Sequence, residues 1–336
     1  MLTHARYLTS VVAGTVIALS LSGPAHATLI LTAAGVTDGF TLTTVVTNGF
    51  SATYGPLGEA ILPDGNFITG SEATDKLYIF NDVDGQTISD AVAAIPYTFT
   101  TGNPQFVMAT VGGQAYGAQV GGGGVFVKFA NDGSFTPIAG LTGLTAYYGM
   151  WGNPTDGHLI ASSNLGLVDI DPVAGTFRVI NASVFPDGVT VSPDGTIVYA
   201  EVSGNINAYN IATGAFIRTY SGGGHAPDGT GVISGGLFNG DIIANNNDGT
   251  VGLIDATSGI ETIIADAGTR GDFVSADTNN GTLFLSQDEQ IARLSCGPGC
   301  SIGSNGGGGT VPEPATFSLL GLGLAGLGFA RRRKAR

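Results

Sequence analysis

Three aspartates occupy equivalent positions in a repeated sequence pattern. Asp187 and Asp228 are each followed by glycine, and Asp272 is followed by phenylalanine. Carboxylates that converge from separate segments suit a hard divalent cation, because calcium and magnesium prefer oxygen ligands. We therefore predict a calcium or magnesium site at these three residues. The alternative is a local role, since an aspartate before glycine is also a common turn residue.

Other chemistry receives less support from the sequence. Of the four histidines, only His158 and His225 lie outside the N-terminal segment, and there is no Gly-x-Ser-x-Gly motif. Cys296 and Cys300, in "CGPGC", are the two cysteines of the chain. Two thiolates do not complete a tetrahedral zinc site, so a disulfide formed after export is the expectation. No catalytic residue is predicted.

The elements that must position the aspartates follow from internal repeats. The segment from Phe185 to Tyr220, "FPDGVTVSPDGTIVYAEVSGNINAYNIATGAFIRTY", has four alternating apolar runs separated by Asp-Gly, Ser-Gly and Thr-Gly. Related units recur at intervals of about 43 residues, the length of a four-stranded β-propeller blade. The equivalent positions are Leu57, Gln105, Gly149, Asp187, Asp228 and Asp272. We predict an all-β, six-bladed propeller, with a seven-bladed propeller as the alternative.

The last unit has about three strands before Cys296. We expect the segment Phe40–Val46, "FTLTTVV", to supply the fourth strand and close the ring. A β-sandwich or solenoid is the competing fold, but the regular spacing favours the propeller.

The unit "VSPDGTIVYAEVSGNINAYNIATG" resembles the YVTN-type repeats of surface-associated propellers, and its "PDG" opening is similar to NHL and SMP-30/lactonase-type propellers. This resemblance implies the fold. SMP-30-type lactonases hold their metal with a Glu, two Asn and an Asp, whereas here Glu59 falls two residues past the aligned position and no asparagine occupies the set. The resemblance therefore does not carry lactonase activity to this chain.

Charge restricts the possible partners. Residues 28–310 have six basic and 25 acidic residues, a balance of −19. Such a surface repels phosphate backbones, so nucleic acid is not an expected partner.

Both ends of the chain have features of export signals. Residues 1–27 combine one early basic residue, an apolar stretch and the small-residue sequence "AHA", which predicts a signal peptide cleaved after Ala27. Residues 28–300 are then the propeller, and residues 301–310, "SIGSNGGGGT", are a polar linker.

The C-terminal residues 311–336 form a second signal. Residues 315–330 are mostly apolar and are predicted to form a short transmembrane helix of about 24 Å, which is less than the roughly 30 Å of the bilayer core. A simple tail anchor is the alternative, and the short span argues against it. A Pro-Glu-Pro triplet, a short Gly-rich segment and a cluster of basic residues follow one another in that order. This arrangement resembles the PEP-CTERM sorting signal. That family implies a Gram-negative, exopolysaccharide-producing host and an exosortase that cuts near the triplet, so contact with the inner membrane is transient. The triplet motif comprises Val311, Pro312, Glu313 and Pro314, and the basic stop comprises Arg331, Arg332, Arg333 and Lys334.

The sequence leaves two main functional hypotheses. The first is a non-catalytic cell-surface or extracellular-matrix propeller, which either binds exopolysaccharide, cations or other surface proteins or has a purely structural role. The second is a lactonase- or lyase-like enzyme with a metal at the channel mouth. Trp151 and the pair Tyr147–Tyr148 would lie near that mouth, where they could stack on a sugar or, alternatively, belong to the core.

Overall fold

The structure is a computed structural model that describes residues 28–47, 50, 55–97, 106–119, 124–297 and 300–302. The predicted signal peptide with its cleavage site at Ala27, residues 303–310 of the predicted linker and the predicted sorting segment lie outside these residues. Within the described residues, no helix has the length and apolar character needed to cross a bilayer.

The described part of the chain begins with a short segment that packs on the outside of the ring. This segment contains β1 (Ile30–Leu31), α1 (Ala33–Thr37) and β2 (Thr41–Thr47). Thr32 caps α1, because its side-chain hydroxyl accepts a hydrogen bond from the Gly35 amide. The strand β2 pairs on one side with β26 of the last blade and on the other with the short strand β6 (Gln86–Thr87).

Six antiparallel sheets follow in sequence order, as the repeats predict. Blade 1 contains β3 (Pro56–Ile61), β4 (Phe67–Ser71), β5 (Lys76–Phe80) and β7 (Ala93–Pro96). The short strand β6 (Gln86–Thr87), between β5 and β7 in the chain, instead pairs in parallel with β2 at the edge of blade 6. Blade 2 contains β8 (Phe106–Val111), β9 (Gln114–Gln119), β10 (Phe126–Phe129) and β11 (Phe135–Pro137). Blade 3 contains β12 (Ala146–Gly152), β13 (Leu159–Ser163), β14 (Gly166–Asp171) and β15 (Thr176–Asn181). Two 3-10 turns, Glu72–Thr74 and Ile88–Asp90, lie in blade 1.

The second half of the ring repeats this arrangement. Blade 4 contains β16 (Val189–Val191), β17 (Ile197–Val202), β18 (Asn205–Asn210) and β19 (Phe216–Ser221). Blade 5 contains β20 (Pro227–Gly235), β21 (Ile242–Asn246), β22 (Val251–Ile254) and β23 (Glu261–Asp266), with β1 on its outer edge. Blade 6 contains β24 (Gly271–Asp277), β25 (Thr282–Gln287) and β26 (Gln290–Ser295), and a final strand, β27 (Cys300–Ile302), pairs with β20.

The N-terminal strand closes the ring, which confirms the prediction made for Phe40–Val46. The strand β2 pairs antiparallel with β26, from Thr41 opposite Ser295 to Thr47 opposite Gln290. The innermost strand of each blade contacts that of the next blade, and β24 contacts β3. The six-bladed fold is thus shown, and the seven-bladed alternative, the sandwich and the solenoid are wrong.

The seam between the last and the first blade is packed by aromatic and ionic contacts. The rings of Phe67 and Phe284 lie 5.0 Å apart, and both side chains are fully buried. Burial of such a side chain contributes about 2 kcal/mol relative to exposure. Arg293 of β26 contacts Asp82 and donates a hydrogen bond to Asp84 of blade 1.

Glycines in the innermost strands bring neighbouring blades close together. A Cβ atom on Gly149, Gly188 or Gly229 would lie 2.4, 2.4 or 2.1 Å from the carbonyl oxygen of Asp187, Asp228 or Asp272, respectively. Gly188 and Gly229 are not among the glycines with positive φ, and Gly229 lies inside β20. Asp228 and Gly229 thus lie within a strand, and the absence of a side chain at Gly229 allows the close approach of β20 to blade 6.

Candidate functional site

A group of three carboxylates lies where blades 4 and 5 meet at the mouth of the central channel. Asp187 precedes β16, Glu201 lies on β17, and Asp228 lies on β20. One oxygen atom from each of these side chains lies within 4.8 Å of the other two. We call Asp187, Glu201 and Asp228 the mouth cluster. Two of its members belong to the predicted cation site, and Glu201 replaces the third.

Hydrogen bonds of the backbone hold Glu201 beside Asp187. The Asp187 amide donates to the Glu201 carbonyl at 3.0 Å, and the Glu201 amide donates to the Gly188 carbonyl at 2.8 Å. The Glu201 carboxylate accepts a hydrogen bond from the Gly204 amide at 2.5 Å. Because these contacts involve strands rather than long loops, the position of Glu201 is set by the blade itself.

Asp272, the third residue of the predicted site, interacts mainly with the guanidinium group of Arg270. Arg270 donates one hydrogen bond to Asp272 at 2.7 Å and another to Asp228 at 2.6 Å. Its guanidinium therefore bridges the carboxylates of blades 5 and 6. The structure brings Asp187 and Asp228 together, whereas Asp272 is joined to them through Arg270.

Of the other sequence-aligned positions, the structure describes Leu57 and Gly149, and neither residue type has an oxygen ligand in its side chain. Gly149 lies in β12 beside the Asp187 carbonyl, and Leu57 lies in β3 opposite Gly70. Gln105 lies outside the described residues. Glu59 is fully buried, and its carboxyl accepts hydrogen bonds from Ser275 and Ser286 at the seam between blades 1 and 6.

The carboxyl groups of the mouth are held above their usual pKa. Burial, and then the nearby charge of Asp228, raise the pKa of Asp187 to about 7, although its rim side remains open to solvent. Burial raises the pKa of Glu201 to about 7, and Asp187 and Asp228 add to the effect while the Gly204 amide opposes it.

The pKa values of the two aspartates that contact Arg270 are also raised. Burial raises the pKa of Asp228, and Arg270 and the hydrogen bond from Asn247 oppose this. Burial and the charge of Asp228 raise the pKa of Asp272, again against the effect of Arg270. Among the described residues here, Arg270 pairs with Asp228 and Asp272, while Asp187 and Glu201 lie beside Asp228, so the excess negative charge favours uptake of protons or of another cation.

The enclosed space at the mouth is small. Asp187, Asp228 and Asp272 line it together with the buried side chains of Met108 and Met150. The volume open to the centre of a water molecule is about 20 Å³. Because one water needs roughly 10–15 Å³ by this measure, the space holds about one water or one ion. A sugar lactone would have to bind above the rim.

An aromatic group borders the rim near Asp187. Tyr147 is 36% exposed and Phe185 is 47% exposed, and their ring centroids lie 5.8 Å apart. The rings of Tyr147 and Tyr148 are stacked at 6.2 Å. Trp151 is buried in the main core, so the core alternative applies to it and sugar stacking does not.

Sequence reasoning missed Glu201, Arg270 and Asn247. Glu201 had a signal, since it is the one charged residue of the apolar run "TIVYAEV". Arg270 is one of six basic residues in residues 28–310 and stands two positions before Asp272. Cys296 and Cys300 form a disulfide with their Cα atoms 5.7 Å apart.

Comparison with known proteins gives a match to a sorting motif and similarities to solved propeller structures. The model of the PEP-CTERM protein-sorting motif matches residues 310–334. A gluconolactonase from Xanthomonas campestris is similar in structure, with a TM-score of 0.59 and 14% identity over 80% of this chain and 94% of that chain. A provisionally assigned gluconolactonase also has a TM-score of 0.59, with 15% identity over 80% of this chain and 98% of that chain. No curated protein sequence matches the chain.

These findings confirm the sorting motif and the propeller resemblance. At 14% and 15% identity, the structural likenesses show the fold alone, because unrelated functions share propeller folds.

Proposed function

We propose that this protein is an exported cell-surface propeller, processed by an exosortase, whose channel mouth binds one divalent cation without catalysing a reaction. The sorting motif at residues 310–334 supports the export and processing. The propeller then functions as a binding module outside the cell. Its inner-membrane contact, through the C-terminal segment, is transient.

The observation that carries the cation proposal is the mutual distance of the mouth cluster. Three carboxylate oxygens within 4.8 Å of one another, on strands of adjoining blades, supply a set of hard ligands. Calcium takes six to eight oxygens and would complete its shell with water, and magnesium would keep several waters. Arg270 neutralises part of the charge of Asp228 and Asp272, and the cation would neutralise the rest.

The aromatic rim supports a polysaccharide as the larger ligand. Exposed rings of Tyr147 and Phe185 can pack against the apolar face of a pyranose, and the adjacent mouth carboxylates can accept sugar hydroxyl hydrogen bonds. A bound cation would also attract the carboxylates of an acidic exopolysaccharide. This part of the proposal places the polysaccharide above the rim, since the space below holds about one ion.

The second candidate function is a lactonase- or lyase-like enzyme. It draws support from the neighbouring carboxyl groups of Asp187 and Asp228, because burial raises the pKa of both and the charge of Asp228 raises the pKa of Asp187 further. A carboxyl group with a pKa near the working pH suits general acid–base catalysis.

A thermal-melt experiment tests the cation proposal. Calcium or magnesium at millimolar concentration should raise the melting temperature of the EDTA-treated protein, and Asp228→Asn or Glu201→Gln should reduce that rise. Glu59→Gln is the matched control, because it also removes a buried carboxyl with a pKa raised to about 7 but leaves the mouth intact. An equal response in all variants would refute the site.

The enzyme candidate is tested with D-glucono-δ-lactone. Under the binding proposal, hydrolysis in the presence of the cation stays at the rate of the buffer. Hydrolysis that requires Asp187 or Asp228 would instead establish the enzyme.

A further inference from the structure

One buried hydroxyl group below the mouth cluster has no hydrogen-bond partner among the described residues. Thr230 lies on β20, two positions after Asp228, and the residue is 1% exposed. Its Oγ1 atom is buried and makes no hydrogen bond within the part of the chain that the structure describes. Because a buried hydroxyl group without a partner costs free energy, such a group requires a water molecule or a ligand.

The alternation of side chains along β20 directs Thr230 toward blade 4. Cβ atoms on Gly229 and Gly231 would lie 2.1 and 2.5 Å from atoms of blade 6, so both of these positions face blade 6. Thr230 stands between them, and successive residues of a strand point to opposite sides of the sheet. Its side chain therefore faces blade 4, which contributes Asp187 and Glu201 to the mouth cluster.

The small enclosed space at the mouth connects Thr230 with the cluster. Asp187, Asp228 and Thr230 all line this space, whose volume of about 20 Å³ holds about one water molecule. The Thr230 hydroxyl group bonds to neither carboxylate, so a molecule between them is needed to join them. A water molecule bound to a cation can do this, because its oxygen binds the cation and its hydrogens are donated to nearby acceptors.

We infer that Thr230 is a positioning residue of the cation site, whose hydroxyl oxygen accepts a hydrogen bond from a water molecule on the channel side of the bound cation. The three carboxylates of the mouth cluster bind the cation directly, and this water fills one of its remaining positions. The inference rests on the proposed cation binding and names a group that orients one ligand of that site. Replacing a residue that orients a metal ligand typically weakens metal binding about 10–100-fold.

Two variants of Thr230 separate the effect of its hydroxyl group from that of its shape. Thr230→Val keeps the branched shape and removes the hydroxyl group, whereas Thr230→Ser keeps the hydroxyl group and removes a methyl group. The full chain is stripped with EDTA, transferred to EDTA-free buffer at pH 8, and titrated calorimetrically with calcium chloride or magnesium chloride. Thr230→Val should raise the dissociation constant about tenfold or more, and Thr230→Ser should stay within about threefold of the native value.

Thr69→Val is the matched control. Thr69 is also fully buried, and its Oγ1 atom also lacks a partner among the described residues, but it lies on β4 of blade 1. This variant should bind both cations as the native protein does, and an equal loss of affinity here would contradict a specific role of Thr230. In EDTA, both valine variants should have urea midpoints at or above the native value, because each removes a buried hydroxyl group without a partner.

The possible results distinguish this inference from the proposed cation binding. If the native protein binds calcium or magnesium and Thr230→Val binds it equally tightly, the role of Thr230 is refuted and the cation site stands. If Thr230→Ser loses as much affinity as Thr230→Val, the shape of the side chain is responsible, and the role of the hydroxyl group is refuted. If the native protein binds neither cation, the proposed function fails and this inference fails with it.

Discussion

Replacing Glu201 by glutamine should stabilise the cation-free protein at alkaline pH and have little effect at acidic pH. The pKa of Glu201 rises from its ordinary 4.5 to about 7 in the folded protein, mainly because the side chain is buried. One pKa unit corresponds to about 1.4 kcal/mol, so ionised Glu201 costs the fold up to about 3 kcal/mol above pH 7. Glutamine removes that charge and keeps an oxygen that can accept the hydrogen bond from Gly204.

The direction in which stability changes with pH follows from proton binding. Between about pH 4.5 and pH 7 the folded protein holds a proton on Glu201 that the unfolded chain has lost, so stability is full at the lower pH and falls as pH rises. Asp187 adds to the same trend, since its pKa is also raised to about 7. A divalent cation should reverse the trend, because it binds the deprotonated cluster.

Urea unfolding at pH 5 and pH 8, with EDTA or with calcium, measures how the free energy of unfolding depends on pH and on the cation. The expected result is that Glu201→Gln gains about 2–3 kcal/mol over the native protein at pH 8 in EDTA, nearly nothing at pH 5, and loses most of its calcium response. Glu59→Gln should show a similar pH effect, because burial raises the pKa of Glu59 to about 7, but should keep the full calcium response. The reasoning fails if Glu201→Gln is less stable than the native protein at pH 8 or responds normally to calcium.

Three further predictions concern the parts that support the site. Arg270→Gln should destabilise the cation-free protein at pH 8 by about 3 kcal/mol, since it leaves Asp228 and Asp272 without their shared cation, and an undiminished urea midpoint would contradict this. Gly229→Ala should cost about 2 kcal/mol or more, because its Cβ would lie 2.1 Å from the Asp272 carbonyl oxygen, whereas Gly297→Ala, with 3.6 Å to its nearest neighbour, should be near neutral in the same assay. Cys296→Ser/Cys300→Ser should lower the free energy of unfolding by about 2 kcal/mol, as the closed loop is short, and a loss much larger than this would show that β27 stabilises the ring by more than the covalent link.

The blade arrangement was accessible from sequence because it depends on local patterns. Alternating apolar runs with glycine turns repeat about every 43 residues, and each repeat forms one sheet from neighbouring strands. The closure of the ring by the N-terminal strand was also predictable. The last repeat lacked one strand, and the N-terminal segment contained a run rich in β-branched residues that could supply it.

The site was only partly predictable because its contacts cross between blades. Asp187 and Asp228 were found by their equivalent repeat positions. Glu201, however, lies on the second strand of its blade, and its approach to Asp228 depends on how blades 4 and 5 pack. Arg270 contacts Asp228, which is 42 positions earlier in the chain, and Asp272, which is two positions later. No local pattern distinguishes it from a solvent-exposed arginine.

The attachment of β27 was also inaccessible to sequence reasoning. A three-residue strand has too little pattern to show its partner, and "CGPGC" indicates a disulfide without indicating what lies beside it. The pairing with β20 arises because that innermost strand is longer than β21 can cover.

The central claim is that the mouth binds one divalent cation through Asp187, Glu201 and Asp228. The most direct measurement is an anomalous difference map from crystals of the protein grown with manganese, which substitutes for calcium or magnesium at oxygen sites. A single peak is expected between these three side chains, at bonding distance from an oxygen of each, with Arg270 still bridging Asp228 and Asp272. Full manganese occupancy elsewhere on the surface, with water alone among the three carboxylates, would contradict it.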